Sequence, residues 1–360
     1  MAVGEWSLWL GAIALAGIIP ALINYAFYKA GKTAAIAAVC GTIAFLISLY
    51  PFFSALPAAR EKNVSLSFGQ YFSSLTGGKS NNNQSKTYVF KRAGETELKM
   101  DVYAPPVDVA ANGAGVIVVH GGSWNAGERS DFPQWNVWLA GNGFMVFDID
   151  YRLAPQPNYL SATGDVKCAV LWVKRNAAQF DISPDRIILL GRSAGAHLAL
   201  MAAYSANDKS FTSSCEEAGD KAAVNENVRA VVSLYAPTDL LWSFDNPANQ
   251  SVIDGRQTLA RFLGGNPHES NEIRDRFLLA SPTSRVNAQT PPTLLVHGGQ
   301  DQLVGSENMN LLDKKLKEAN ISHKTIFLSY AQHGFDYNFN GWGAQVTKSV
   351  LLDFLRQNSK

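Results

Sequence analysis

Ile187-Ile188-Leu189-Leu190-Gly191-Arg192-Ser193-Ala194-Gly195-Ala196-His197-Leu198-Ala199-Leu200-Met201-Ala202-Ala203-Tyr204 runs from aliphatic residues through Gly-Arg-Ser-Ala-Gly into an alanine-rich segment. The run predicts a buried strand over 187–191 and the alanines a helix over 194–204. A serine on such a sharp strand-to-helix elbow is forced toward positive φ, so its neighbours must be small, and the N-terminus of the helix lies beneath its hydroxyl. This is the setting a nucleophilic serine requires. The pentapeptide also arises by chance, so it gains meaning only from partners elsewhere in the chain.

Upstream, Gly115-Val116-Ile117-Val118-Val119 reads as a buried parallel strand that ends in His120-Gly121-Gly122-Ser123-Trp124. Paired glycines let backbone N–H groups approach a ligand. The Gly122 and Ser123 stretch, with Ala194 after the serine, is the candidate pair of oxyanion donors. Downstream, Pro292-Thr293-Leu294-Leu295-Val296-His297 is a strand whose loop offers Asp301. A helix over about 306–319 and a strand over 323–328 follow, and the next loop, Ser329-Tyr330-Ala331-Gln332-His333-Gly334, offers a histidine. Asp239, after the preceding strand, is an alternative acid. Asp301 is preferred because its loop follows the strand at which the family resemblance given below places the acid, so that the chain order is Ser193, Asp301, His333. The other histidines close strands, open one, enter the elbow helix or lie in an insertion.

With these residues in hand, the chain resembles the α/β-hydrolase superfamily, in its serine esterase and lipase branch with His-Gly-Gly at the oxyanion loop. The resemblance runs over roughly residues 86–358 and includes Asp150-Tyr151-Arg152-Leu153-Ala154-Pro155, Phe262-Leu263-Gly264-Gly265 and Ala280-Ser281-Pro282. Where lipase-like relatives carry a third glycine, this chain has Ser123-Trp124. That is similar to small acetyl-, feruloyl- and carboxylesterases. The elbow is also similar to that of membrane-bound isoprenylcysteine methylesterases. The resemblance implies a mostly parallel sheet flanked by helices, a lid insertion and a Ser-His-Asp serine carboxylesterase acting on short or medium acyl esters, small-molecule or lipid, with no cofactor. A serine exopeptidase of related fold, or a non-catalytic adhesion or scaffold relative, are the alternatives. The absence of any added gating domain argues against the first and the intact Ser193, Asp301 and His333 against the second.

The 360 residues are 47% apolar and 17% charged, and the apolar surplus is concentrated at the start. No Asp, Glu, Lys or Arg occurs over 6–28 or over 33–59, and each stretch can cross a hydrocarbon core roughly 30 Å thick. Two transmembrane helices are expected, about 6–25 and 34–53, with Trp6, Trp9, Tyr25, Tyr28 and Tyr50 near their ends, as interfacial aromatics prefer. A cleaved signal peptide is the alternative reading; the stretch lacks a basic leader and a second span follows it. Lys29 and Lys32 in the hairpin balance Arg60 and Lys62 beyond it. The lysines lie closer to the spans, which favours a multi-pass protein with its catalytic domain on the extracytoplasmic side.

The expected organisation is thus an anchor over 1–59, separable from the rest, a polar juxtamembrane linker over 60–86 and a catalytic domain over 87–360. In that domain an antiparallel edge strand at about 97–103 precedes strands near 116–120, 145–150, 187–191, 229–235, 293–297 and 323–328. Their alternation with helices near 161–179, 194–204, 306–319 and 343–357 implies right-handed crossovers. Insertions over about 205–227 and 239–290 interrupt the rhythm and are candidate lids. Trp124, and with it Trp242, Phe244, Phe262 and Phe277, are candidates for the substrate pocket, although a helical insertion could equally use the last four as core. Cys40, Cys168 and Cys215 suggest no pairing by spacing and no metal site. A net charge of +1 without a basic cluster argues against nucleic acid as a partner.

Overall fold

The computed structural model describes residues 4–27, 31–73, 85–206, 208–211, 215 and 225–360. Two compact units are distinguished: Met1–Gly77 with Gly298–Gln300 and Phe327–Ser349, and Gly78–His297 with Asp301–Ile326 and Val350–Lys360. The strands are β1 (Lys86–Ala93), β2 (Thr96–Tyr103), β3 (Gly115–Val119), β4 (Met145–Ile149), β5 (Ile187–Arg192), β6 (Ala230–Leu234), β7 (Thr293–Gly298) and β8 (His323–Leu328). The helices are α1 (Ser7–Phe27), α2 (Gly31–Ser48), α3 (Tyr50–Glu61), α4 (Phe68–Ser73), α5 (Pro133–Ala140), α6 (Tyr159–Arg175), α7 (Ala194–Tyr204), α8 (Leu240–Asp245), α9 (Gly255–Leu263), α10 (Asn271–Leu279), α11 (Glu307–Glu318) and α12 (Trp342–Asn358).

The sheet runs β1-β2-β4-β3-β5-β6-β7-β8. β1, β2 and β4 pair antiparallel, whereas β3 pairs with β4 and β5, β5 with β6, and β6 with β7 in parallel. Uninterrupted aliphatic runs form the central strands because both of their faces are covered, and every residue of β3, β5, β6 and β7 is buried. In register, Val119 at the end of β3 stands beside Gly191 of β5. The loops leaving these two strands therefore emerge side by side, and that register brings the glycine turn to the serine elbow.

The expected edge strand, β2, is second from the edge. Outside it lies β1, which carries Lys86, Lys91 and Arg92 and keeps only Phe90 and Lys91 buried. The 239–290 insertion folds as α8, α9 and α10, capped by Asp239, Asp254 and Ser270, whose side chains accept from the N–H groups of Trp242, Gln257 and Ile273 at 3.0, 2.9 and 3.2 Å. Cys168 of α6 is bonded to Cys215, a pairing that the 47-residue separation concealed. Residues 207, 212–214 and 216–224 of the first expected insertion lie outside the described residues.

In the first unit α1 and α2 form an antiparallel hairpin in which Gly11 lies against Ser48 and Gly41 against Ile18. Small residues at these crossings let the two backbones approach closely. Away from the seam, Ile13, Ile19, Phe27, Ile36 and Ile47 are exposed. The second apolar helix outlasts its expected end at about 53: α2 and α3 together run over Gly31–Glu61, 31 residues. The expected linker is structured as far as Ser73, because α4 adds Phe68 and Tyr71 to an aromatic cluster with Phe52 and Trp342. Residues 74–84, the most polar part of that linker, lie outside the described residues.

Candidate active site

Ser193 stands between β5 and α7 with φ 52° and ψ −122°, in the strained region the elbow demands. Both flanking glycines are fixed by contact. A Cβ on Gly195 would collide with the carbonyl oxygens of Val119 and His120, and one on Gly191 with Gly195 O. Ser193 N–H donates to Leu234 O at 2.9 Å, and His197 N–H donates to Ser193 O at 3.0 Å, so the elbow is tied to β6 and to the first turn of α7. Ala194 opens α7, where N–H groups have no intrahelical acceptor and the helix dipole favours negative charge.

The loop after β3 folds back over this point, with Gly122 at φ 107° and Ser123 and Trp124 at 53° and 60°. Two successive left-handed residues other than glycine are costly, and the surrounding bonds hold them. The Trp124 indole N–H donates to His197 Nδ1 at 3.2 Å, and Trp124 O accepts from Asn158 Nδ2 at 3.0 Å. The indole stacks on Phe262 at 4.2 Å. Because Nδ1 of His197 accepts, its Nε2 carries the hydrogen and donates to Ala280 O at 2.7 Å. Burial pushes the His197 pKa down to about 4, which keeps the ring neutral. His120 stacks on Tyr151 at 4.4 Å, and the Tyr151 hydroxyl lies 3.3 and 3.2 Å from the carbonyls of His120 and Gly121.

Ser193, Ala194, Ser123 and Trp124 line one cavity with Pro237, Ile253 and Leu259 and with Leu303–Gly305 of the Asp301 loop. Asp301 Oδ1 accepts from the N–H groups of Leu303 and Val304, both at 2.9 Å, and Oδ2 lies 3.2 Å from His297 Nε2. The alternative acid, Asp239, is occupied otherwise: it caps α8 through Oδ1, and its Oδ2 accepts from the Thr283 hydroxyl at 3.1 Å. His333 lies in the loop between β8 and the one-turn helix Phe335–Tyr337, in the first unit. Within that unit the residues just ahead of Asp301 are joined to this loop. Gly299 N–H donates to Leu328 O at 2.8 Å and Gln300 N–H to Ala331 O at 2.9 Å.

Over residues 100–316 the chain matches the family model described as BD-FAE. The chain belongs to the BD-FAE family. It is 31% identical over 248 residues to the esterase LipC of Mycobacterium tuberculosis, covering 67% of this chain and 58% of that one. The esterase LipQ of the same organism is 30% identical over 265 residues, covering 73% and 60%. The chain thus spans little more than half the length of these curated relatives. Among solved structures it is similar to the butyrate-bound Est2 esterase of Thermogutta terrifontis, with a TM-score of 0.61 at 24% identity, covering 76% of this chain and 94% of that one. The fold of this BD-FAE member is the α/β-hydrolase fold of the serine esterase and lipase branch, as its motifs imply.

Of the expected pocket aromatics, only Trp124 lines the cavity. Phe244, Phe262 and Phe277 are core, Phe262 under the Trp124 indole and Phe277 edge-on to Phe244 at 5.5 Å. The Trp242 ring packs toward Gly305 and is not among the lining residues. Two structural residues escaped the sequence reading. Asn308 accepts from Thr238 N–H at 2.8 Å and from the Ser243 hydroxyl at 3.0 Å on the cavity wall. Arg192, buried beside the serine, lies over the rings of Phe132 and Trp135 at 4.2 and 5.3 Å. An arginine at the end of a buried strand gives no sign in the sequence that aromatic rings will receive it.

Proposed function

We propose that this chain is a membrane-anchored serine carboxylesterase acting on short or medium acyl esters through Ser193, His333 and Asp301. The observation that carries the reading is the strained Ser193 elbow set beside the Gly122–Ser123 turn in one largely apolar cavity. Ser193 Oγ attacks the ester carbonyl as His333 takes its proton. N–H groups of Gly122 or Ser123 and of Ala194 receive the negative oxygen, and loss of one such donor costs on the order of a hundredfold or more in rate. Collapse expels the alcohol, which takes the proton back from His333. Water then attacks the acyl-serine by the same route and releases the acid. Asp301 holds the imidazole tautomer and stabilises its protonated form. The esterase names of LipC and LipQ favour an ester over an amide.

The anchor is supported by the apolar residues that α1 and α2 leave exposed, since such a surface is stable in hydrocarbon and not in water. Cys168–Cys215 supports an extracytoplasmic catalytic domain, because structural disulfides persist in oxidising compartments. The test uses the full chain in detergent micelles with p-nitrophenyl acetate, longer acyl homologues and the matching anilide. The ester is expected to turn over, the anilide not, and Ser193→Ala to abolish turnover while the thermal transition is retained. A Ser193→Ala variant with unchanged rate would remove the nucleophile from the scheme. A rate highest on the anilide would replace the esterase with a peptidase.

A further inference from the structure

The residues ahead of the first apolar helix reach into the segment that carries His333. Glu5 is 4% exposed, and its carbonyl accepts from the Tyr71 hydroxyl at 2.8 Å and from Asn338 Nδ2 at 2.7 Å. Leu8 N–H closes the turn on Tyr71 Oη at 3.2 Å. The Glu5 carboxyl enters a cradle in Gly341-Trp342-Gly343: a Cβ on Gly341 would collide with Oε2, and one on Gly343 would stand 3.3 Å from Oε1. It faces the Gly343 N–H and the Tyr330 hydroxyl, at a geometry looser than a closed hydrogen bond among the described residues. Tyr330 is three residues before His333, and Trp342 of the cradle stacks on Tyr71 at 4.5 Å. The carboxyl thus holds the loop on one side of His333 and the start of α12 on the other.

We infer that Glu5 is a positioning residue for His333, so that the N-terminal segment completes the catalytic machinery as well as anchoring it. The inference rests on the reading of His333 as general base. A lone acid ahead of an apolar run has no packing reason to be buried; buried here, it braces a loop whose displacement by about 1 Å would cost on the order of a hundredfold in rate. Burial raises the Glu5 pKa to about 8, and the buried Asp336 adds to the rise. Tyr71 and Tyr330, also facing it, are themselves shifted upward by burial. Glu5 is therefore protonated at neutral pH. The stability it contributes is complete below about 4.5 and is lost as pH rises to about 8, where the native state itself takes on a buried carboxylate.

The experiment compares the full-length wild type with Glu5→Ala, Glu5→Gln, Tyr330→Phe and His333→Ala in micelles. Rates on p-nitrophenyl acetate are normalised to sites titrated by a fluorophosphonate. Glu5→Ala is expected to lower kcat about tenfold per titrated site with KM changed less than twofold, because Glu5 is not among the cavity's lining residues. Glu5→Gln should keep the neutral-pH kcat and remove a fall in kcat centred near pH 8. Lys348, whose pKa burial lowers to about 8, is untouched in that variant and cannot account for the difference. Should Glu5→Ala fail to fold, Glu5→Gln and Tyr330→Phe still decide through the pH profile. Unchanged kcat per site, or an alkaline limb that survives Glu5→Gln, overturns the inference. Retained activity in His333→Ala instead overturns the general base, which separates the two failures.

Discussion

Asp301→Asn, set against Asp239→Asn, tests the proposal that Asp301 serves the His333 imidazole while Asp239 serves a helix. In Asp301 one oxygen accepts two backbone N–H groups at 2.9 Å and the other faces His297 Nε2 at 3.2 Å. That His297 nitrogen also lies 3.0 Å from Val304 O, so it carries a hydrogen. An asparagine that keeps its carbonyl on Leu303 and Val304 must turn its NH2 toward the Nε2–H, setting donor against donor. Turning the other way sets the NH2 against two backbone donors. Either orientation leaves a buried donor unsatisfied, worth about 1–3 kcal/mol of stability. Loss of the proposed triad acid should lower kcat by about 10⁴-fold, or about 5.5 kcal/mol in the barrier. Asp239→Asn keeps an acceptor for Trp242 N–H and should cost well under 1 kcal/mol of stability, with kcat changed less than twofold. Initial rates on p-nitrophenyl acetate and thermal melts of the full chain in micelles read both effects. An Asp301→Asn variant within tenfold of wild type, beside a crippled Asp239→Asn, would reverse the assignment.

Gly195→Ala sets a methyl against two carbonyl oxygens and should cost about 3 kcal/mol or more, read as a lower melting temperature or insoluble protein; Gly334→Ala, with open space around its Cβ and φ 69°, should cost only about 1 kcal/mol. His197, whose pKa lies near 4 when folded, resists protonation that the unfolded chain accepts near 6.5, so its contribution is present above pH 6.5 and is lost as pH falls toward 4. That loss is about 3 kcal/mol, and melts of His197→Gln between pH 7 and 4.5 should show a flatter slope than wild type. Removal of residues 1–73 takes away Tyr71, Phe52, Phe68 and Glu5 together and bares Trp342, which is wholly buried. The shortened chain is expected to aggregate or lose activity on soluble esters; full turnover by a monodisperse product in size-exclusion chromatography would show instead that the anchor is separable.

What the sequence disclosed follows from how local each signal is. β3, β5, β6 and β7 each carry a run of aliphatic residues, because a strand covered on both faces favours them, and their limits fall within a residue or two of expectation. β1 was hidden because an edge strand carries Lys86, Lys91 and Arg92 without breaking any rule of pairing. α5, eight residues with proline at its start, is too short to show a period. The elbow and the glycine turn after β3 were legible because steric necessity writes glycine into fixed places. The Phe262 under Trp124 was not, since an apolar ring at helical spacing reads alike whether it meets substrate or indole.

The same reasoning explains why Glu5 and the cysteines could not be interpreted from sequence. A single carboxyl before a charge-free helix looks like an ordinary flank, and two cysteines 47 residues apart carry no spacing rule. Each acquires meaning only from a partner far along the chain: Glu5 from Asn338, 333 residues away, and Cys168 from Cys215. Both ends of the apolar hairpin meet within the unit that holds the histidine loop, where Leu8 bonds to Tyr71 beyond α3. A hairpin that enters and leaves through one set of contacts puts its first residues and α4 on the same side of any bilayer it crosses. On the proposed anchor reading those contacts favour an even number of spans, a point on which the lysine and arginine counts cancel. A single cleaved leader would remove Glu5 and Leu8 and leave the Gly341-Trp342-Gly343 cradle and Tyr71 without the groups they enclose. On the proposed anchor reading Glu5 and Leu8 are retained in the mature protein, and an intact N-terminal peptide in mass spectrometry of the membrane fraction is the expected result.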